Sequence, residues 1–179
     1  SMESQPLSAP SSFDWRNYDG QDWVTSVKDQ GMCGSCWAFS AVGAVEAAYN
    51  VGWNDPNLDL DLAEEYLVSD CLPDNNCCGG WNSTALYFIR DSGIPDEACL
   101  PYVDGSWSSP TGGCSCGQYS CNLDCTYSTG GSCSDRTCSD RCSNWASRLR
   151  TIEATGHVFI QSAIKQAIID WGPVSVCLS

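Results

Sequence analysis

An α+β chain is the fold class this sequence predicts, helical through its first half and turning to strand at its end. Three observations predict it. Four segments carry helix-like apolar patterning with recognisable stops, and the last of them runs through Gly172-Pro173 into the apolar stretch Val174 to Leu178, which reads as a strand. Hydrophobic residues make up 42% of the 179, enough to build a core. Fourteen cysteines accompany them, so covalent staples are expected to supplement that core. The length fits one domain or one compact two-lobed unit.

The elements follow in order. Residues 1–12 are polar and proline-bearing and read as a tail, and Asp14-Trp15-Arg16 opens the folded part. Residues 36–50 place small and apolar side chains on nearly every face, which predicts a helix buried on most sides. Residues 62–70 predict a second helix, with Glu64 and Glu65 in a first turn where the helix dipole favours acids. A third runs from Asn82, read as its N-cap, to Arg90; Ala85, Leu86 and Ile89 form its apolar stripe, and Gly93 and Pro95 end it. A fourth is predicted over 159–171, with Ile160, Ile164, Ala167, Ile168 and Trp171 on one face. Between Tyr102 and Trp145 the pattern dissolves into Gly, Ser and Cys, with seven cysteines between 114 and 142, and crosslinks are expected to hold that stretch. Four regions result: a tail at 1–12, a helical lobe at 13–110, a cysteine-rich insertion at 111–150, and the start of a second, β-rich lobe at 151–179.

Composition excludes several functions. The formal charge is −14 with only two lysines, Lys28 and Lys165, so no basic patch for nucleic acid is visible. No apolar run reaches the ~18 residues of a membrane span. Zinc is disfavoured because Cys33-x2-Cys36 has no second knuckle and the chain holds one histidine. Asp55, Asp59 and Asp61 lack the glycine and terminal glutamate of a calcium loop. No metal and no cofactor are expected. Asn82-Ser83-Thr84 is a glycosylation sequon and is read as chance.

The chemistry concentrates in Gln30-Gly31-Met32-Cys33-Gly34-Ser35-Cys36-Trp37-Ala38-Phe39. Cys36 stands where a Gly/Ser loop meets a predicted helix start. Unpaired N–H groups and the helix dipole gather positive potential there, which suits a nucleophilic thiolate. The alternative is that Cys36 is one more member of a disulfide framework.

Cys33 to Trp37 fits C-G-[SA]-C-[WY], and this segment resembles the papain and cathepsin family of cysteine proteases. Further likenesses follow in the family's order: Asp14-Trp15-Arg16; Leu62-Ala63-Glu64-Glu65 with Asp70-Cys71, where Ala63 replaces a usual serine; Cys77-Cys78-Gly79-Gly80; Pro101-Tyr102; and Ile164-Lys165 through Gly172-Pro173-Val174-Ser175-Val176. The likeness covers about 10–110 well and 151–179 fairly, and 111–150 departs from it. It implies a papain-like two-lobed fold, with the helical first lobe present and the β-rich second lobe only partly present. It also implies a cysteine endopeptidase that hydrolyses peptide bonds through a Cys36 thiolate and an acyl-enzyme thioester.

Roles are implied residue by residue. Cys36 matches the nucleophile. Gln30 matches the glutamine whose amide shares the oxyanion hole with the Cys36 N–H, although it could be an ordinary loop residue. Gly79 and Gly80 match the pair along which an extended substrate lies, or else form only a tight turn. Trp81 and Cys177 match walls of the pocket for the substrate residue two before the cut, and Trp37 follows the nucleophile as in the family; all three could instead be core residues. The resemblance implies a Cys33–Cys77 disulfide and a bond from Cys71 to Cys114 or Cys116, with Cys78, Cys99 and the remaining cysteines pairing among themselves.

Such an enzyme needs an imidazole beside the thiol. The family's histidine and asparagine follow the segment matched by Gly172 to Val176, so the sequence is expected to be a fragment that stops before both, and inactive as given. His157 precedes that segment and is not expected to be the base. Polypeptide substrates, a propeptide of zymogen type or a protein inhibitor as partner, a monomer, and an extracellular, periplasmic or lysosome-like compartment complete the expectation. Two other readings compete: a non-catalytic papain-like binding module and a disulfide-rich extracellular structural protein.

Overall fold

Helix α1 forms where small and apolar residues occupy nearly every face, and it runs from Cys36 to Trp53. The computed structural model describes residues 9–31, 33–73, 75–77, 79–103 and 136–176. Trp37, Ala38, Ala41, Val42, Val45 and Ala47 are buried along α1. The helix continues three residues past the predicted Asn50, through Gly52 and with no proline to break it; it stops at Asn54, whose φ of 52° is left-handed and returns its N–H to Asn50 and Val51. Helices α2 (Glu64–Val68) and α3 (Asn82–Ser92) pack on α1, and α4 (Gln161–Trp171) touches it more lightly.

Helix α2 is shorter than the predicted 62–70. Leu62 and Ala63 are drawn out of helix by pairing with the 94–96 segment, where the Ala63 N–H donates to the Pro95 carbonyl at 3.0 Å, and Ser69 is extended. All five residues of α2 are buried. Leu62, Leu67, Ile89, Ile94 and Leu100 are fully buried around it. Each such side chain contributes about 1.5–3 kcal/mol. Helix α3 starts one residue earlier than a cap at Asn82 would give: Trp81 is the cap position, and the Asn82 amide donates to the Ser175 hydroxyl at 2.7 Å. Its stop is as predicted, with Gly93 at φ 81°. On α4 only Ala167 is buried, Ile164 and Ile168 are half-buried, and Ile160 and Trp171 are exposed, so the predicted apolar face is covered in its middle and open at both ends among the described residues.

No strand forms among the described residues; four isolated bridges are the only β-pairings, and Val174 to Val176 carry no regular element. A strand needs a partner for its backbone groups, and the described residues supply none to this segment.

Among the described residues, three disulfides tie the helical region together: Cys33–Cys77, Cys71–Cys138 and Cys99–Cys142. The Cys71 bond corrects the expectation of Cys114 or Cys116. The Asp70 carboxylate accepts the Cys138 N–H at 2.5 Å, and this contact seats Cys138 beside Cys71. The end of the cysteine-rich segment is thus stapled back to the lobe from which it departs. Cys78, Cys114, Cys116 and Cys177 lie outside the described residues. Disulfides at this density form in oxidising compartments.

Behind α1 and α2, Lys28 meets three carboxylates: Glu46 at 3.0 Å, Glu64 at 3.0 Å and Asp61 at 2.8 Å. Of the two acids at the start of α2, Glu64 therefore serves this buried cluster, while Glu65 accepts from the Val103 N–H. Glu46 also accepts from the Thr25 hydroxyl and the Leu62 N–H. One ammonium cannot neutralise three carboxylates. Burial, reinforced by Glu46 and opposed by Lys28, pushes the Glu64 carboxyl up to about 7. Burial disfavours the charged Lys28, but Glu64, Asp61 and Glu46 outweigh it and hold the ammonium above its ordinary range. A raised carboxyl contributes stability that is complete below its unfolded value near 4.5 and is lost as pH rises through about 7. Urea denaturation is therefore expected to show a loss of roughly 2–3 kcal/mol between pH 5 and pH 8, at about 1.4 kcal/mol per tenfold change in proton affinity. Glu64→Gln should flatten that dependence. An unchanged slope in the variant would place the titration elsewhere.

Candidate active site

The loop before α1 is built by short-range constraints. The Cys33–Cys77 disulfide fixes its middle, and the Gly34 N–H donates to the Cys77 carbonyl at 2.8 Å. A Cβ on Gly34 would lie 2.4 Å from that oxygen, so only glycine permits the approach. Ser35 is the cap position of α1, yet its hydroxyl does not cap the helix. It lies 2.9 Å from the Tyr102 hydroxyl. Cys36 follows as the first helical residue, exposed and free, while the other six described cysteines are all bonded. Its N–H is one of the first four of the helix, which have no intrahelical acceptor, and the positive end of the α1 dipole lies at its thiol.

Gln30 sits on the same loop. Its side-chain amide donates to the Cys33 carbonyl at 2.8 Å. An amide nitrogen carries two N–H groups, so this bond orients the side chain and uses one donor. The backbone carbonyl of Gln30 accepts from the Tyr102 hydroxyl at 2.9 Å.

On the facing segment, Asn76 and Gly79 pair in a tight turn, with Gly79 at φ 135°. The Trp37 indole is buried against this turn and donates to the Asn76 carbonyl at 3.4 Å. Gly80 packs so closely that a Cβ would lie 2.5 Å from the Trp37 ring. Trp37 is thus a core side chain that supports the Gly79-Gly80 backbone from beneath. Trp81 beside it is 68% exposed. Ser175 links to the helices through Ser40, at 2.6 Å, and Asn82, at 2.7 Å, which brings the segment leading to Cys177 beside α1 and α3. Cys177 itself lies outside the described residues.

His157 is engaged elsewhere. Its Nε2 is 3.0 Å from the Tyr87 hydroxyl on α3, and its ring stacks on Phe159. It has no contact with Cys36 among the described residues. No cluster of potential metal ligands occurs among the described residues either. Sequence reasoning missed the joining function of Tyr102 and Ser35. Pro101-Tyr102 was visible as a motif, but only the fold shows that its hydroxyl reaches back 72 positions to Gln30.

Comparison with known proteins gives the family. The family model described as papain family cysteine protease matches residues 9–179. The viral cathepsin of Mamestra configurata nucleopolyhedrovirus is 46% identical over 94 residues, covering 52% of this chain and 26% of that protein. Cathepsin K of Gallus gallus is 41% identical over 108 residues, covering 58% of this chain and 30% of its own length. Stem bromelain of Ananas comosus is 38% identical over 105 residues, covering 58% of this chain and 46% of its own. The stretch in common therefore spans less than half of each relative. Among solved structures, digestive procathepsin L2 proteinase from the larval midgut of Tenebrio molitor superposes with a TM-score of 0.48 at 41% identity, covering 52% of this chain and 29% of that one. With its family model matched from residue 9 onward, the chain belongs to the papain family of cysteine proteases.

Proposed function

We propose that the full-length protein is a cysteine endopeptidase in which the Cys36 thiolate attacks the peptide carbonyl and carries the acyl group as a thioester. The observation that carries this reading is a single free, exposed cysteine at the first position of a long helix, among described cysteines that are otherwise all bonded. A disulfide framework alone gives no reason to leave that thiol open.

The remaining roles belong to the same proposal. The oxyanion that forms on attack is met by the Cys36 N–H and the second N–H of the Gln30 amide. An extended substrate lies along Gly79 and Gly80, where the close packing of Trp37 behind Gly80 leaves the backbone as the accessible face. Trp81 offers an exposed apolar wall, and with Cys177 it forms a pocket for an apolar residue two positions before the cut. The thiolate requires an imidazole other than His157, supplied by the rest of the full-length protein. A monomer, made with a propeptide in a secretory or lysosome-like compartment, accords with this reading, and the three disulfides support an oxidising site of folding.

The test is peptide cleavage by the full-length protein before and after one equivalent of iodoacetamide. Hydrolysis should cease as Cys36 is carbamidomethylated and should survive His157→Ala. Cleavage unaffected by carbamidomethylation of Cys36, or abolished by His157→Ala, would contradict the proposed site.

A further inference from the structure

Resting on the peptidase reading above, we propose that Tyr102 is a positioning residue for the reaction, its hydroxyl tying Gln30 to Ser35 and so setting where the two oxyanion donors face. Tyr102 reaches the site from the far side of the lobe, between the 3-10 turn Glu97–Cys99 and the cysteine-rich segment. Its hydroxyl donates to the Gln30 backbone carbonyl at 2.9 Å. A phenol has one proton, so at its 2.9 Å contact with Ser35 the serine hydroxyl is the donor. The two anchored residues bracket the loop from Gln30 to Ser35, and the next residue is Cys36.

Two features mark the arrangement as more than packing. Serine at a helix cap position ordinarily accepts from an N–H of the first turn. Here Ser35 is fully buried and its hydroxyl is turned to Tyr102 instead, so only its backbone carbonyl serves the first turn of α1, accepting the Ala38 N–H at 2.8 Å. Tyr102 is itself held from behind. Its N–H donates to Glu97 at 2.7 Å, the N–H of Val103 donates to the fully buried Glu65 at 3.0 Å, and its ring meets Phe39 of α1 edge-on at 5.0 Å. A buried carboxylate, a half-buried one and an α1 aromatic thus fix a hydroxyl, and the hydroxyl fixes both ends of the catalytic loop.

Tyr102→Phe in the full-length protein removes the hydroxyl and keeps the ring on Phe39. Loss of the tie should misplace the donors without removing the nucleophile. The expected result is a fall in kcat of about tenfold with KM changed less than about twofold, and alkylation of Cys36 by iodoacetamide, which develops no oxyanion, within about twofold of wild type. In a Gln30→Ala background the same substitution should cost less than about twofold, because the donor it positions is gone. Ser35→Ala, which cuts the other end of the tie, should reproduce the kcat loss. An equal loss in both backgrounds would overturn the proposal, as would a rise in KM alone, unchanged kinetics, or a thermal midpoint and alkylation rate that fall in parallel with kcat. Wild-type hydrolysis that survives Cys36→Ser is a separate outcome: it would remove the peptidase reading beneath the proposal and the proposal with it.

Discussion

Replacing Cys36 with serine in the full-length protein is expected to lower peptide hydrolysis by at least about a thousandfold, while the fold and the three disulfides persist. The substitution exchanges sulfur for oxygen at an exposed position, so no core contact is lost. What changes is nucleophilicity. A serine hydroxyl stays protonated at neutral pH, and the dipole of α1, which helps a thiolate at its N-terminus, is too weak to ionise it. Rate assays beside a urea melt of the same variant separate the two effects: activity should vanish with the midpoint unmoved. A variant that keeps a tenth or more of the wild-type rate would show that another group makes the attack.

Gln30→Ala should lower kcat by about 10²–10³ with a much smaller change in KM, the loss typical of removing one oxyanion donor. The prediction depends on the bond from its amide to the Cys33 carbonyl, which fixes the side chain and leaves the second N–H as a donor. Cys33 is in turn bonded to Cys77, so the acceptor that orients Gln30 is covalently anchored. Steady-state kinetics on a peptide amide read the effect directly. A rise in KM at constant kcat would make Gln30 a ground-state contact instead.

The helical lobe was legible because its signals are local. Small residues on nearly all faces of 36–50 suit a buried helix, Gly93 and Gly172 stop α3 and α4 where the sequence places them, and the Cys33 to Trp37 string marks the proposed nucleophile. The misses are long-range. Helix α2 is shortened by the pairing of Ala63 with Pro95, a contact that no window around residue 63 contains. Disulfide partners cannot be read from spacing, and Cys71 found Cys138 through the carboxylate of Asp70 rather than the nearer cysteines of the insertion. The acids of α2 looked like dipole partners, yet Lys28, 36 positions away from Glu64, claims that residue for a buried cluster. Within the site, the residue types that carry chemistry were visible in sequence, while the hydroxyl tie from Tyr102 became visible only with the fold.

The measurement that tests the central claim most directly is trapping of the acyl-enzyme. The full-length protein is mixed with a chromogenic peptide ester, quenched in acid within milliseconds, digested and mapped by mass spectrometry. The account predicts the acyl mass on the peptide that contains Cys36, labile to hydroxylamine as a thioester is, and absent from Cys36→Ser. Turnover of the ester with no adduct at Cys36, or with the acyl group on any other residue, would contradict it.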